Sequence, residues 1–177
     1  MEAHTGIKRV QSVRAGPRFY HCVGSMIGLL QRVAQAQVAV EEQVIGQIGP
    51  GLLVLIGIVR GDDTAAAQRL LQRILNYRVF PDAAGRMNLS LREVSGGLLL
   101  VPQFTLAADT ARGNRPGFSL AAEPPQAAAL FNYVLEHARG MHAPVATGRF
   151  GAHMQVSLIN DGPVTFWLES GSLSGEA

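Results

Sequence analysis

The amino-acid sequence predicts a single compact α/β domain in which strands outnumber helices. Three observations predict it. The chain has 177 residues, 47% apolar and 16% charged, a length for one domain with enough apolar material for a core. From Met26 onward, apolar or alternating runs recur between turn residues, the mark of strands. Two segments instead repeat their apolar residues at helical spacing.

Residues 1–25 mix Gly, Ser, Arg, His and Pro without periodicity and hold no apolar stretch of the kind a secretory signal needs. Few acids and several arginines mimic a transit peptide. A disordered tail, a vector-derived leader or an overlong start is the preferred reading, with Met26 as the natural start. Ile27–Val40 and Gln43–Ile48 read as strands joined by a short polar link, Gly49–Gly51 as a turn, and Leu52–Val59 as a buried strand. Asp62, Asp63 and Thr64 offer helix N-caps. Ala66, Leu70, Ile74 and Tyr77 then predict a helix over 64–77. Pro81–Asn88 reads as a loop, Gly96–Leu106 as a strand carrying a proline, and Ala107–Phe118 as a polar loop. A second helix starts near Pro125, buries Leu130, Phe131, Val134 and Leu135, and stops at Gly140. His153–Asn160 and Val164–Glu169 read as the last strands. The expected organisation is a tail over 1–25, a domain over 26–170 and a C-terminal tail over 171–177.

Charge is unevenly placed. The chain has 15 Lys and Arg against 13 Asp and Glu. Residues 1–25 hold Lys8, Arg9, Arg14 and Arg18 against Glu2, so 15 − 4 leaves 11 basic and 13 − 1 leaves 12 acidic residues beyond them, a net −1. A near-neutral body argues against tight, non-specific nucleic-acid binding but leaves room for recognition of one nucleic-acid end. Lys8 is the only lysine, and Arg favours bidentate contact with phosphate or carboxylate. Cys22 is the only cysteine. This rules out an intrachain disulfide and fits a reducing, cytoplasmic setting. No apolar run reaches the roughly 18 residues of a membrane span.

The usual catalytic apparatus is not legible. His137, His142 and His153 are scattered outside any metal-ligand spacing. No GxSxG elbow, P-loop or GxGxxG is present. Glu41-Glu42 reads as a solvated turn and Asp62-Asp63 as a helix cap. No metal and no cofactor is expected.

Two segments stand out. In Val101–Leu106, a strand would put Gln103 and Thr105 on one side and Phe104 on the other. Pro102 then marks an edge, a bulge or the strand's end. A strand end with free N–H groups can hold an oxyanion; an ordinary edge strand fits the pattern as well. In Asn160–Val164, Asp-Gly signals a hairpin turn, yet Pro163 follows directly and has no N–H for the next strand. A cis Gly-Pro would turn two carbonyls the same way, with no side chain at Gly162 to obstruct an approaching ammonium group.

Both segments occur together in one family. The chain resembles the D-aminoacyl-tRNA deacylases (the D-tyrosyl-tRNA(Tyr) deacylase family), chiral-proofreading esterases. The resemblance covers nearly all of 26–169. It rests on Leu29–Val33, Gly51–Ile58, Arg86–Ser90, Gln103–Phe118 and Thr147–Trp167, including the motifs QFTL and NxGPVT. Residues 1–25 have no counterpart in it. Pro102 stands where the family usually has Ser, and Gly117 where Ser is common.

The resemblance implies an α/β fold with a curved antiparallel sheet or barrel, outer helices and a two-fold homodimer with active sites at the interface. It implies hydrolysis of the ester of D-aminoacyl-tRNA, and of glycine mischarged on tRNA, with the 3′-terminal adenosine end as partner. Gly162 and Pro163 would form a Gly-cisPro motif inserted into the partner's site, where an L side chain is rejected. Gln103, Phe104 and Thr105 would frame the ester, with the N–H groups of Phe104 and Thr105 for the oxyanion. Thr105 is a candidate nucleophile without an evident base; an activated water helped by the terminal 2′-hydroxyl is preferred. Arg32 either braces the Gly-Pro segment or makes a surface salt bridge. Phe150 and Met154 either line the adenosine or aminoacyl pocket or pack the core. Arg112 and Arg115 either touch tRNA phosphate or are solvated.

Overall fold

A computed structural model describes residues 25–111 and 113–171 of the chain. The expectations for the tails, Ser25 and Gly171 apart, and for Cys22 and Arg112, lie outside the described residues.

Strand β1 (Ile27–Val40) is the spine of the sheet. It turns back at Glu41 and Glu42, whose φ values of 50° and 64° make a two-residue loop with the twist a hairpin needs. β2 (Gln43–Ile48) and β3 (Gly51–Gly57) pair with β1 in one register, Ala36 with Ile48 and Val33 with Gly51. They are therefore one antiparallel arm, bent at Gly49-Pro50.

Helix α1 (Thr64–Asn76) follows. Asp63 caps it by accepting the Ala66 N–H at 2.7 Å. Its buried stripe is Ala66, Ala67, Leu70, Leu71, Ile74 and Leu75, the pattern expected of a helix lying on a sheet. The segment read as a loop over 81–88 holds part of a small ribbon, β4 (Phe80–Pro81) with β5 (Met87–Leu89). A short helix, α2 (Leu91–Val94), opens with a capping box between Ser90 and Glu93. β6 (Gly97–Pro102) comes next, then α3 (Pro124–Met141), β7 (Val145–Thr147) and the 15-residue β8 (Gln155–Glu169).

The expected antiparallel sheet is a mixed one. β1 is antiparallel to β2, β3 and β8, but β3–β6 and β6–β7 are parallel. Helices α1 and α3 explain this, because a parallel neighbour needs a long crossover. The sheet is nearly closed: a Cβ on Gly46 of β2 would lie 2.6 Å from the Thr147 carbonyl of β7. Only a residue without a side chain lets the two edges approach so closely.

Both faces of β3 and β6 are buried, which explains their unbroken apolar runs. Leu52, Val54, Leu98 and Leu100 pack toward α1 and α3, against Leu70, Ile74, Phe131 and Val134. Leu53, Leu99 and Val101 point the other way, to a second core with Val33, Ala36, Val38 and Ile48. The alternation is the period of two that a strand imposes.

Two strand expectations are corrected. The strand read over Gly96–Leu106 ends at Pro102, and Phe104–Ala107 form a 3-10 turn. Gln103 and Thr105 therefore do not share a strand face. The two strands expected at 153–160 and 164–169 are one, β8, which keeps pairing with β1 on both sides of Gly162-Pro163.

Candidate active site

The end of β6 is built by its proline. Gln103 donates its N–H to the Ile56 carbonyl of β3 at 2.7 Å. N–H groups alternate sides along a strand, so Pro102 faces its missing donor toward β7, which has already stopped at Thr147. The proline thus interrupts no bond to β3, as expected for a strand terminus. Beyond it the chain tightens: Leu106 N–H reaches the Gln103 carbonyl and Ala108 N–H the Thr105 carbonyl, both at 3.2 Å. The N–H groups of Phe104 and Thr105 open this turn, and first-turn donors have no acceptor within their own turn. The Gln103 side-chain amide donates to Thr105 Oγ1. The exposed Phe104 ring rests on Phe118, centroids 4.9 Å apart.

A cavity of about 460 Å³ opens beside this turn. Pro102, Gln103 and Phe104 form one wall, and Phe150, Gly151, His153, Met154 and Val156 another. Phe150 packs in part on the helix-side core and Met154 on the barrel core, and each leaves an exposed part in the cavity. Met154 is seated tightly, its sulfur accepting the Arg149 N–H at 3.3 Å. His153 is the one ionisable side chain among the described lining residues; its sequence context gave no reason to single it out.

Arg32, Gly162 and Pro163 lie elsewhere. Between the pairs Gln31–Thr165 and Val33–Asn160, one residue of β1, Arg32, faces four of β8, Asp161 to Val164. Those four bulge out of the ladder. The Arg32 Nε donates to the Asp161 carbonyl at 2.9 Å, and Nη1 to the Val79 carbonyl at 2.6 Å. Its guanidinium also meets the Asp161 carboxylate at 3.1 Å. Arg32 is only 12% exposed and Asp161 58%, so the contact is more than a surface pair: a nearly buried arginine holds the bulge by its backbone. The Gly162–Pro163 peptide is cis, and Gly162 sits at φ 153°.

Asn160 is the residue that sequence reasoning missed. Its side chain accepts the Val164 N–H at 2.7 Å and donates to the Val164 carbonyl at 3.1 Å. It therefore replaces the ladder partner that Val164 lost and closes the neck of the bulge. The signal was available: a strand resuming after Pro163 leaves Val164 in need of a partner, and Asn carries both a donor and an acceptor.

The register places the bulge four residues along the sheet and three strands across from Pro102, roughly 20 Å measured along the sheet at ordinary strand spacings. Within the chain the bulge and the cavity are separate. Titration offers little to either. Burial pushes Asp62 up to about 6, the Arg86 N–H holds Asp82 low, and Ser90 holds Glu93 low. None of these lines the cavity. Among the described residues no cluster of His, Cys, Asp or Glu could hold a metal ion. No helix of the described residues is long and apolar enough to cross a membrane.

Thr105 itself does not line the cavity. The fold finds its class among known proteins. Curated relatives include a D-aminoacyl-tRNA deacylase of Thioalkalivibrio sulfidiphilus, 64% identical over 81% of this chain and 97% of its own length. Another, from Azotobacter vinelandii, is 62% identical over 82% of this chain and all of its own. A solved structure described as a c-Myc DNA unwinding element binding protein is 40% identical, with a TM-score of 0.79 over 82% of this chain and 99% of its own. One of a probable eukaryotic D-amino acid tRNA deacylase, 18% identical with a TM-score of 0.72 over the same shares, matches in fold. The class is that of the deacylases, hydrolases of ester bonds. The sequence profile described as D-Tyr-tRNA(Tyr) deacylase matches residues 29–169, and the chain belongs to that family.

Proposed function

We propose that this protein hydrolyses the ester of D-aminoacyl-tRNA, releasing free D-amino acid and tRNA, and that it also clears glycine mischarged on tRNA. The observation that carries the reading is the braced bulge at Asp161–Val164. It offers main-chain carbonyls around a residue with no side chain, held by Arg32 and Asn160. Carbonyls so placed accept from the α-ammonium of an aminoacyl ester. A D side chain then points away, while an L side chain runs into Gly162 and Pro163. Selectivity comes from rejection and tolerates many D side chains.

The bulge needs a cavity and the cavity needs a selector. A two-fold homodimer supplies both if each bulge enters the partner's cavity. β8 supports it: it pairs with β1 along one edge and exposes Val156 and Ile159, apolar surface that a second copy would cover. In this arrangement the terminal adenosine and aminoacyl group lie against Phe150 and Met154. The ester sits at Gln103, Phe104 and Thr105. Water attacks the carbonyl carbon, and the Phe104 and Thr105 N–H groups hold the oxyanion. The bond to the ribose oxygen breaks, and that oxygen takes up the proton lost by the water, helped by the neighbouring 2′-hydroxyl. Thr105 already accepts from Gln103, and among the described residues no base is hydrogen-bonded to it, so it positions rather than attacks. Exposed Arg115 would reach phosphate. No cofactor takes part, and the enzyme would work where translation runs, in the cytoplasm.

A nucleic-acid-binding role is the second reading, favoured by the name of the 40%-identical structure. It calls for a broad basic face, and beyond residue 25 the chain carries 11 basic against 12 acidic residues. The deciding experiment offers matched D-Tyr-tRNA and L-Tyr-tRNA to the protein. Loss of the D-ester alone is expected; hydrolysis of neither would favour the binding role.

A further inference from the structure

A smaller cavity, of about 330 Å³, adjoins the one at the end of β6. The two share Ala152 and His153. Glu41, Glu42, Arg149 and Gln155 line the smaller one only. The register explains why these residues meet. Ala39, near the end of β1, pairs with Gln155, the first residue of β8. The hairpin turn beyond β1 is thereby set against the loop that leads into β8. That loop is folded on itself: Ala152 donates its N–H to the Arg149 carbonyl, and Arg149 its N–H to the Met154 sulfur, both at 3.3 Å. Phe150 is thus turned to the larger cavity and Arg149 to the smaller.

Glu41, Glu42, Arg149 and His153 are all exposed, and all line this one small cavity. Among the described residues none of the four has a side-chain hydrogen bond or salt bridge, although Arg32, Arg60, Arg86 and Arg139 each pair with a carboxylate. A solvated turn accounts for the exposure of Glu41 and Glu42. It does not account for an arginine that shares their cavity and pairs with neither. Nor does the turn itself ask for glutamate, since at φ values of 50° and 64° Asn and Gly are the usual residues.

The terminal adenosine of an acylated tRNA, placed against Phe150 and Met154, is not the end of the substrate's path. A phosphodiester joins it to the preceding nucleotide, which in every tRNA is a cytidine. A strand leaving the larger cavity by the shared wall passes His153 as a phosphodiester and enters the smaller cavity as a cytidine. Each group there has a match. Arg149 offers five N–H donors and a full charge, and the His153 ring at least one N–H in either protonation state. Both suit a phosphate oxygen. A carboxylate accepts from the exocyclic amine of cytosine and would be set against the carbonyl that uracil carries in its place.

We propose that the smaller cavity is a subsite for the cytidine that precedes the terminal adenosine. Arg149 and His153 hold the connecting phosphate, and the Glu41-Glu42 turn accepts from the cytosine amine. The inference rests on the reading of the larger cavity as the place of the aminoacyl-adenosine.

The test compares the D-tyrosyl esters of adenosine, uridylyl-adenosine and cytidylyl-adenosine. In the unaltered protein kcat/KM should rise about tenfold from the adenosine to the uridylyl ester, the size of one charge-assisted hydrogen bond to the phosphate. It should rise about tenfold again to the cytidylyl ester, through the cytosine amine. Arg149→Gln should remove the first step and leave the second. Glu41→Gln combined with Glu42→Gln should remove the second and leave the first, since an amide both accepts and donates. Equal kcat/KM on all three esters overturns the proposal. So does a loss in these variants that falls on all three esters alike, which is what a structural role would give.

Hydrolysis of none of the esters would strike at the reaction, and binding then decides the subsite. Unacylated cytidylyl-adenosine and uridylyl-adenosine are titrated into the protein and followed by NMR at the His153 ring signals, assigned through His153→Gln. The cytidylyl compound should shift them at about tenfold lower concentration. No shift, or shifts at the same concentration with both compounds, overturns the proposal.

Discussion

The cavity at the end of β6 and the bulge in β8 are held in opposite ways. The cavity is held by packing: Phe150 and Met154 are wedged into the two cores, and the turn at Phe104–Ala107 closes on itself. The bulge is held chiefly by polar side chains, Arg32 and Asn160, with only Val164 at its end packed into a core. A packed wall tolerates change in proportion to the area lost. A few directional bonds fail when one donor is removed, because the groups left behind are unsatisfied. The bulge should therefore be the more sensitive region, although it has less buried surface.

The largest expected effect is at Gly162. A Cβ there would lie 2.5 Å from Val164 Cγ2, at a φ of 153° that other residues rarely adopt. Gly162→Ala should lower D-Tyr-tRNA deacylation about a hundredfold or more, the equivalent of about 3 kcal/mol of lost transition-state binding. Tm should fall as well, since the clash is with Val164, which packs in the helix-side core. Arg32→Ala comes next. It strips charge-assisted bonds from two carbonyls, each worth about 1.5–3 kcal/mol, and should reduce kcat/KM about thirtyfold. Arg32→Lys should not restore it, because a point charge cannot replace the planar fork. Asn160→Ala should reduce D-ester hydrolysis about tenfold and also narrow the ratio of D- to L-ester hydrolysis. A purely structural role would leave that ratio alone.

On the packed side the effects should be smaller and of another kind. Phe150→Ala should raise KM about fivefold with kcat nearly kept, since it removes apolar contact present throughout the reaction. Pro102→Ser should stay within about twofold in rate, because the N–H it restores faces the open side of β6 and no ladder partner. Should Phe150→Ala exceed Gly162→Ala in rates measured side by side, the contrast between the regions collapses.

The sequence announced the packed region more fully than the braced one. β1, β2, β3, α1 and α3 follow from periodicity, and their bounds in the structure differ from expectation by a residue or two. β4, β5 and β7 have only two or three residues, too few for any period to register. The Ser90–Glu93 capping box was a readable signal for α2. Parallel pairing of β3, β6 and β7 was hidden because a strand's period reports which face is buried, not which neighbour it takes. The β6 end was misplaced because QFTL alternates as a strand does, and only the bond from Gln103 to Ile56 reveals where the ladder stops. Gly-Pro announced an interruption of β8, but resumption of pairing with the same strand is a tertiary fact. The neck bonds of Asn160 follow from that fact alone.

The central claim is that the bulge of one protomer completes the cavity of the other. Subunit mixing tests it most directly. One variant, Ala152→Trp, blocks the cavity and keeps the bulge; the other, Gly162→Ala, spoils the bulge and keeps the cavity. Each alone should be inactive on D-Tyr-tRNA. Co-expressed and assembled at random, they form mixed dimers in which one intact cavity meets one intact bulge. About a quarter of the wild-type activity should then return, since half of the dimers are mixed and each holds one whole site of two. If cavity and bulge instead served the same protomer, every protomer would carry a defect, and mixing would restore nothing.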